Sequence, residues 1–476
     1  MIFKAKSLQS LTTKLLPFAD ATSESLTLPQ LLRMSLFQIS VGMASVLLLG
    51  TLNRVMIVEL NVAAVIVASM IAIPVLVAPF RALLGFQSDN YRSAIGWKRV
   101  PYLWFGTMWQ FGGLAIMPMA LLVLAGDSAI QASGFGQVAA GLAFLLTGLG
   151  MHMTQTAGLA LAADRATEET RAKVVSLLYV MFLAGMAVSS LIIGTLLRHY
   201  SALLLVQVVQ GCAVVTMALN LIALWKQEKM APMTQAERKA PRPIFLNAWA
   251  DFTKQGHVVR LIGVVFIGTM AFSMQDVLLE PYGGEILGLS VSSTTLLTAM
   301  WACGALVAFA LAARWLAKGR DPFRMAGNGI LVGIAAFTAV VFAAPLMSIP
   351  VFFAGAVMIG FGSGLFAVSM LTSAMTLPVT GAAGRGLALG AWGAAQATGA
   401  GVSIFIGGSL RDLVNIEAVA GLFGPSLANP TTGYATVYLT EIVLLFITLI
   451  VLGPLVRART LTPGTATKLE LAEFPT

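Results

Sequence analysis

Asp276 and Glu280 stand one helical turn apart near the end of a strongly apolar stretch, in the run Met274-Gln275-Asp276-Val277-Leu278-Leu279-Glu280-Pro281-Tyr282-Gly283-Gly284. Two carboxylates so spaced share one face of a helix. Ionisable side chains inside a spanning helix are costly unless paired or wetted, so each is a candidate for ion pairing or proton transfer. A related run, Leu52-Asn53-Arg54-Val55-Met56-Ile57-Val58-Glu59-Leu60, lies in the first apolar stretch. In both runs an amide residue precedes a charge, and an aliphatic stretch leads on to a Glu, but the charge is basic in one and acidic in the other. If the two stretches hold equivalent places in a two-fold arrangement, Arg54 meets Asp276 as an ion pair or gate. Glu280, one turn further out, is then a second acceptor for the five-donor guanidinium, and Glu59 joins the same cluster.

The elements that must position these groups are membrane helices. Hydrophobic residues make up 58% of the 476 and charged residues 10%, and the mean hydropathy is +0.87, values of a multi-span membrane protein rather than a soluble enzyme. About twelve windows are long and apolar enough to cross a bilayer core. They fall near 33–58, 62–84, 101–125, 135–162, 174–197, 203–225, 260–282, 291–316, 325–345, 349–377, 386–410 and 434–456. The first 30 residues are polar, with no short apolar run before a cleavage site, so the first span is expected to direct insertion.

Lys and Arg alternate between the connections. Arg92, Lys98, Arg99, Arg165, Arg171, Lys173, Lys226, Arg238, Lys239, Lys318, Arg320, Arg324 and Arg385 fall on one side, with little beyond Arg54, Arg198 and Arg411 on the other. The positive-inside rule puts both termini and the middle loop on the cytoplasmic side of the membrane. The net charge of +9 follows from that asymmetry and suits contact with membrane lipids; no nucleic-acid module is present.

The organisation is an all-α chain: an N-terminal segment (1–32), a six-helix half (33–225), a linker (226–259), a second six-helix half (260–456) and a tail (457–476). Within the linker, Ile244, Phe245, Leu246, Trp249 and Phe252 recur at helical spacing, as in a short surface helix or a plain linker. Two six-helix halves with an internal repeat are the plan of major facilitator transporters. A stretched form of that superfamily's cytoplasmic motif runs from Gly85 through Asp89 and Gly96 to Lys98 and Arg99, and the second-half loop Lys318–Arg324 keeps only a remnant. Cys212 and Cys303 lie in different halves, so neither a disulfide framework nor a metal cluster is expected. No phosphate loop, zinc-protease motif or nucleophile elbow occurs, and a self-contained enzyme is not expected.

Six runs carry a closer likeness. They are Gly50–Leu60, Ala78-Pro79-Phe80-Arg81-Ala82-Leu83, Gly96-Trp97-Lys98-Arg99-Val100-Pro101-Tyr102, Phe111-Gly112-Gly113-Leu114-Ala115, His152-Met153-Thr154-Gln155-Thr156-Ala157-Gly158-Leu159-Ala160 and Gln275–Gly284. Together they resemble the PucC/LhaA family, the bacteriochlorophyll delivery family of the major facilitator superfamily, over residues from about 30 to 456. The resemblance leans toward the LhaA branch, which serves the core antenna, and leaves the peripheral-antenna branch open. It implies an assembly factor for a light-harvesting antenna complex in the photosynthetic membrane. The cargo implied is bacteriochlorophyll or a late precursor, alongside carotenoid or lipid. The partners implied are antenna alpha and beta polypeptides, the reaction centre and bacteriochlorophyll synthase.

His152 is the only His inside an expected span, and a neutral imidazole can ligate a chlorin's magnesium. Gln155 and Thr156 share its helix face, so a polar stripe that bonds a neighbouring span is the competing reading. Asn53, Gln275 and Glu59 offer oxygen, which magnesium prefers. The glycines of spans ten and eleven serve close helix packing rather than a slot for a macrocycle, and Trp104, Phe105 and Trp109 face lipid or a pigment. The rival function is a secondary transporter that couples proton movement at Asp276 and Glu280 to export of a small apolar solute. The topology has a direct check: reporter fusions after Lys239 and after Asp127 are expected to report opposite sides, and the same side from both overturns it.

Overall fold

The computed structural model describes residues 22, 26–77, 97, 99–124, 135–167, 170–228, 256–375 and 385–461. All regular structure among them is helical, as bulk apolarity demands, since a helix satisfies its own backbone where no water can. The first half contains α1 (Leu28–Glu59), α2 (Ala64–Val77), α3 (Val100–Leu124), α4 (Phe135–Arg165), α5 (Arg171–Leu196) and α6 (Ala202–Leu224). The second contains α7 (Gly256–Ser273), α8 (Leu279–Glu285), α9 (Val291–Ala317), α10 (Pro322–Ala343), α11 (Ile349–Met375), α12 (Arg385–Val419) and α13 (Thr431–Leu461). Ten spans among the described residues are long and apolar enough to cross a membrane, with α7 and α8 counted as one. The helices α2 and α12 are two further elements, at the places where the second and eleventh spans are expected.

Packing partners repeat between the halves. In the first, α1 lies on α5 and α6, α3 on α4 and α6, and α2 on α4; in the second, α7 lies on α12 and α13, α10 on α11 and α13, and α9 on α11. Two long helix pairs join the halves alongside the shorter contacts of α1 with α8 and α9: α2 with α12 and α5 with α9, which exchange under the same correspondence. The chain therefore folds as two copies of one bundle related by a pseudo-two-fold axis. Small residues bring these helices together: a methyl group at Gly408 of α12 would stand 2.8 Å from the Ala64 carbonyl oxygen of α2. Across the other contact the Ser190 hydroxyl donates to the Thr295 carbonyl at 2.9 Å.

Two spans depart from regular winding, both in the runs singled out above. In α1, residues Val46–Thr51 and Val55–Glu59 are π-wound around a short α-helical piece, Leu52–Arg54. The helix stops at Asn61, whose φ of 51° is a left-handed value that Asn tolerates, and the Val62 amide wraps back to the Met56 carbonyl at 2.9 Å. The seventh span, expected as one helix over 260–282, is instead broken by a 3₁₀ turn at Met274–Val277 before α8 begins. Pro281 explains the break. It has no amide proton to give the Val277 carbonyl, so a regular helix cannot run through it unbroken, while in the first turn of α8 that proton is not needed.

The glycines of α11 and α12 work as packing surfaces. Gly360 leaves no room for a methyl group against the Trp301 carbonyl, and Gly304 on α9 is in the same position against Val357 of α11. Trp104, Phe105 and Trp109 of α3 are exposed on the outside of the bundle. A cluster of Tyr282, Phe352, Tyr434, Tyr438 and Phe337 fills the second half, with ring centroids 5.3–6.2 Å apart.

Gly360→Val should lower folded abundance, since overpacking costs about 1–3 kcal/mol and backbone is the atom struck. Gly112→Ala, where nothing lies within 4 Å, should leave abundance at the wild-type level. Thermal-shift measurement on both variants in detergent checks the pair; equal midpoints would refute the close-packing account.

Candidate functional site

The two singled-out runs do meet, but not as the charge pattern suggests. Arg54 is 4% exposed. Its Nη1 is paired with Glu59 Oε1 on the same helix, and its Nη2 donates to the Leu289 carbonyl at 3.1 Å. Asp276 is not its partner. It is Asn53 that reaches this stretch of the seventh span, with Nδ2 bonded to the Leu49 carbonyl and 3.5 Å from the Asp276 carbonyl. The Asp276 carboxylate accepts instead from its neighbour, Gln275 Nε2, at 2.6 Å.

The expected Arg54–Asp276 pair is thus replaced for a geometric reason. Successive residues of a helix point about 100° apart, so with Asn53 turned to the 3₁₀ turn, Arg54 is carried past it toward α8 and Leu289. There Gly284 makes room: a methyl group would stand 3.0 Å from Arg54 Nε. The π-wound segment Val55–Glu59 then brings the residue five positions on beneath the guanidinium, where ordinary winding favours the fourth.

Glu280 is buried on the same seam. Its Oε1 accepts from Thr298 of α9 at 2.6 Å and lies so close to α1 that Gly50 has no room for a side chain. One residue on, the hydroxyls of Thr51 and Thr295 are 3.1 Å apart. Tyr200, in the turn after α5, adjoins this cluster: burial and then the Glu59 carboxylate raise its phenol above the ordinary value, opposed by Arg54.

Sequence reasoning missed two groups. Glu441 of α13 is fully buried, with Oε1 accepting the Gln275 amide at 2.7 Å. Its signal was present, since it is an acid inside the apolar run 434–456 and the same rule that flagged Asp276 applies to it. Arg411 of α12 is paired with Glu285 of α8 and with Asp412 at 2.9 Å, and lies 4.7 Å from the Tyr434 ring centroid. Asp412 in turn accepts the Val65 amide at 2.7 Å, across the contact between the halves. Glu285 and Asp412 escaped notice because neither sits in an echoed run.

The pigment candidates separate by accessibility. Asn53 and Gln275 are 0% and 2% exposed, held between α1, the 3₁₀ turn and α13, with no space for a macrocycle. Each keeps a carbonyl oxygen without a partner. His152 is half-buried on α4, as are Gln155 and Thr156, and the Thr156 hydroxyl donates to the His152 carbonyl at 2.7 Å. Of Asn53, Gln275 and His152, His152 alone is partly exposed.

Of the cytoplasmic motif, Gly85, Asp89, Gly96 and Lys98 lie outside the described residues. Arg99 precedes α3, where its Nε donates to Asp164 at 2.9 Å. The carboxylate of Glu228, near the start of the expected linker, accepts the Arg99 amide at 3.1–3.2 Å and the Val100 amide at 3.0 Å, so it caps α3 where the helix's amides are unsatisfied. In the second-half remnant, Asp321 caps α10 through the Arg324 amide.

An expected outcome follows for the seam. Glu59→Gln leaves the Arg54 guanidinium, 4% exposed, without its anion and should cost about 3–5 kcal/mol, whereas Arg54→Ala leaves behind only Glu59, whose side chain is 36% exposed, and should cost less, through lost packing rather than a stranded charge. A double-mutant cycle on folded abundance should give coupling between Arg54 and Glu59 and none between Arg54 and Asp276; the reverse pattern would contradict the geometry.

This architecture and these residues have counterparts. The solved structure of a bacterial homologue of the human lysosomal transporter Spinster, inward-facing and unoccupied, superposes with a TM-score of 0.68 at 14% identity, over 91% of this chain and 98% of its own. That likeness establishes the major facilitator fold. An uncharacterized protein in the puhA-bchM intergenic region of Rhodobacter capsulatus is 61% identical over 100% of both chains. Protein PucC of Rhodovulum sulfidophilum is 53% identical over 86% of this chain and 90% of its own. With the family model described as PUCC protein matching residues 51–460, the chain belongs to the PucC family.

Proposed function

We propose that this protein is an assembly factor for a bacterial light-harvesting antenna complex, binding bacteriochlorophyll and delivering it to antenna alpha and beta polypeptides in the photosynthetic membrane. PucC-family proteins are involved in photosynthetic complex assembly, and family likeness along nearly the whole chain is the observation that carries the reading. In it, His152 would ligate the pigment magnesium through an imidazole nitrogen, with Gln155 on the same helix face. Antenna polypeptides are single apolar helices, so they dock on the lipid-facing exterior, where dispersion packing drives association. The inner membrane, with both termini cytoplasmic, is the setting this reading requires.

A second reading has its own support. Glu280 and Glu441 are buried and Asp276 half-buried in a fold shared with transporters, which suits proton-coupled export of a small apolar solute. The absorption spectrum separates the two. Protein solubilised from pigment-making membranes should carry a chlorin band, and His152→Ala should lower its occupancy or shift its long-wavelength maximum. Full occupancy with an unshifted band removes His152 as ligand, while wild-type protein free of pigment rejects delivery and favours transport. Cross-linkers along the outer spans should capture an antenna subunit; whether it belongs to the core or the peripheral antenna decides the branch.

A further inference from the structure

The end of the bundle that carries the start of α1 and the end of α6 holds a groove of about 250 Å³, lined by Arg33, Leu221, Ile222 and Trp225. Its walls face outward: Leu221 is 42% exposed, Ile222 49% and Trp225 65%. Arg33 lies in the second turn of α1, within the apolar span, and its Nη2 donates to the Trp225 carbonyl at 2.7 Å. That bond completes the end of α6 and leaves the positive charge unneutralised. Arg33 Nε is buried with no acceptor.

The surrounding charges reinforce rather than cancel it. Lys226 is exposed beside the groove. Arg165, beyond the end of its span, is held below its ordinary value first by burial and then by the Arg33 guanidinium, so the two cations share one field. The neighbouring acids are committed elsewhere, Asp164 to Arg99 and Glu228 to the amides that open α3. An occupant of this groove must bring an anion to Arg33 and an apolar chain to the face of α6.

We infer that the Arg33–Trp225 groove is a binding site for an anionic phospholipid, with the phosphodiester on the Arg33 guanidinium and one acyl chain along Leu221, Ile222 and Trp225. Arginine suits the role, since its planar donors grip phosphate oxygens in pairs. A tryptophan at headgroup depth anchors the same end.

Native mass spectrometry of the intact, detergent-solubilised chain equilibrated with phosphatidylglycerol and phosphatidylcholine tests the site. Wild type should retain phosphatidylglycerol roughly fivefold over phosphatidylcholine, the ratio that corresponds to about 1 kcal/mol for one basic residue at an anionic surface. Arg33→Gln should bring the ratio near one, and Trp225→Ala should lower retention of both lipids. Ile222→Glu, at an exposed position that leaves Arg33 and its bond to Trp225 in place, should abolish the preference even if Arg33→Gln does not accumulate. Equal retention of the two lipids by wild type, or a preference that survives both Arg33→Gln and Ile222→Glu, overturns the site. Displacement of phosphatidylglycerol by inorganic phosphate at equal concentration would also overturn it, in favour of a free-anion site.

Discussion

A carboxylate buried without water must find its donors in the protein, and at Glu280 that requirement shapes the seam between the halves. Its donor, Thr298, sits on α9, and the approach of α1 is close enough to demand glycine at residue 50. The break in the seventh span sets Glu280 in the first turn of α8, and Gly284, one turn further on, leaves room for Arg54. Removing the acid alone would leave the Thr298 hydroxyl without this acceptor, while a bulky residue at Gly50 would part α1 from α8. The polar groups here are few, and they do mechanical work that dispersion between apolar helices does weakly in lipid.

Much of the architecture was legible from composition and charge alternation, because a membrane permits few backbone solutions. The two-half plan and the importance of the runs at 52–60 and 275–284 could be read from residue types. The pairing between them could not. The echo aligned Arg54 with Asp276 residue by residue, yet the separation of Asp276 from Glu280 is four and that of Arg54 from Glu59 is five. That single extra residue is absorbed by π-winding, which amphipathic periodicity does not reveal in a helix apolar on every side. Pro281 did carry a readable signal for the break before α8. Glu441 shows the opposite failure: a chemically plain clue was passed over because it stood outside any repeated pattern.

The two latches that join the ends of the halves are built differently. On one side Arg54 reaches the Leu289 carbonyl from α1; on the other Asp412 of α12 holds the first turn of α2, while Arg411 beside it grips Glu285 of α8. Each depends on one buried guanidinium, a group that keeps its charge at any physiological pH. The acids deeper in the seam have no such fixed partner, Glu441 resting on a backbone amide. A symmetric backbone therefore carries an asymmetric distribution of charge, with the acids of Asp276, Glu280 and Glu441 all in the second half.

Glu228 belongs by sequence to the connection between the halves, yet its carboxylate finishes α3, and Trp225 and Gln227 accept from Arg33 and Arg165. The first bundle is thus sealed by residues that follow its last helix. Its true covalent boundary lies beyond Glu228, not at the end of α6. A chain severed just after Leu224 would expose the opening amides of α3 and free two arginines, whereas a cut a few residues later would deliver a half-molecule with its own lid attached. Split or circularly rearranged versions of this protein inherit that rule: the join is placed by the last capping carboxylate rather than by the last apolar residue.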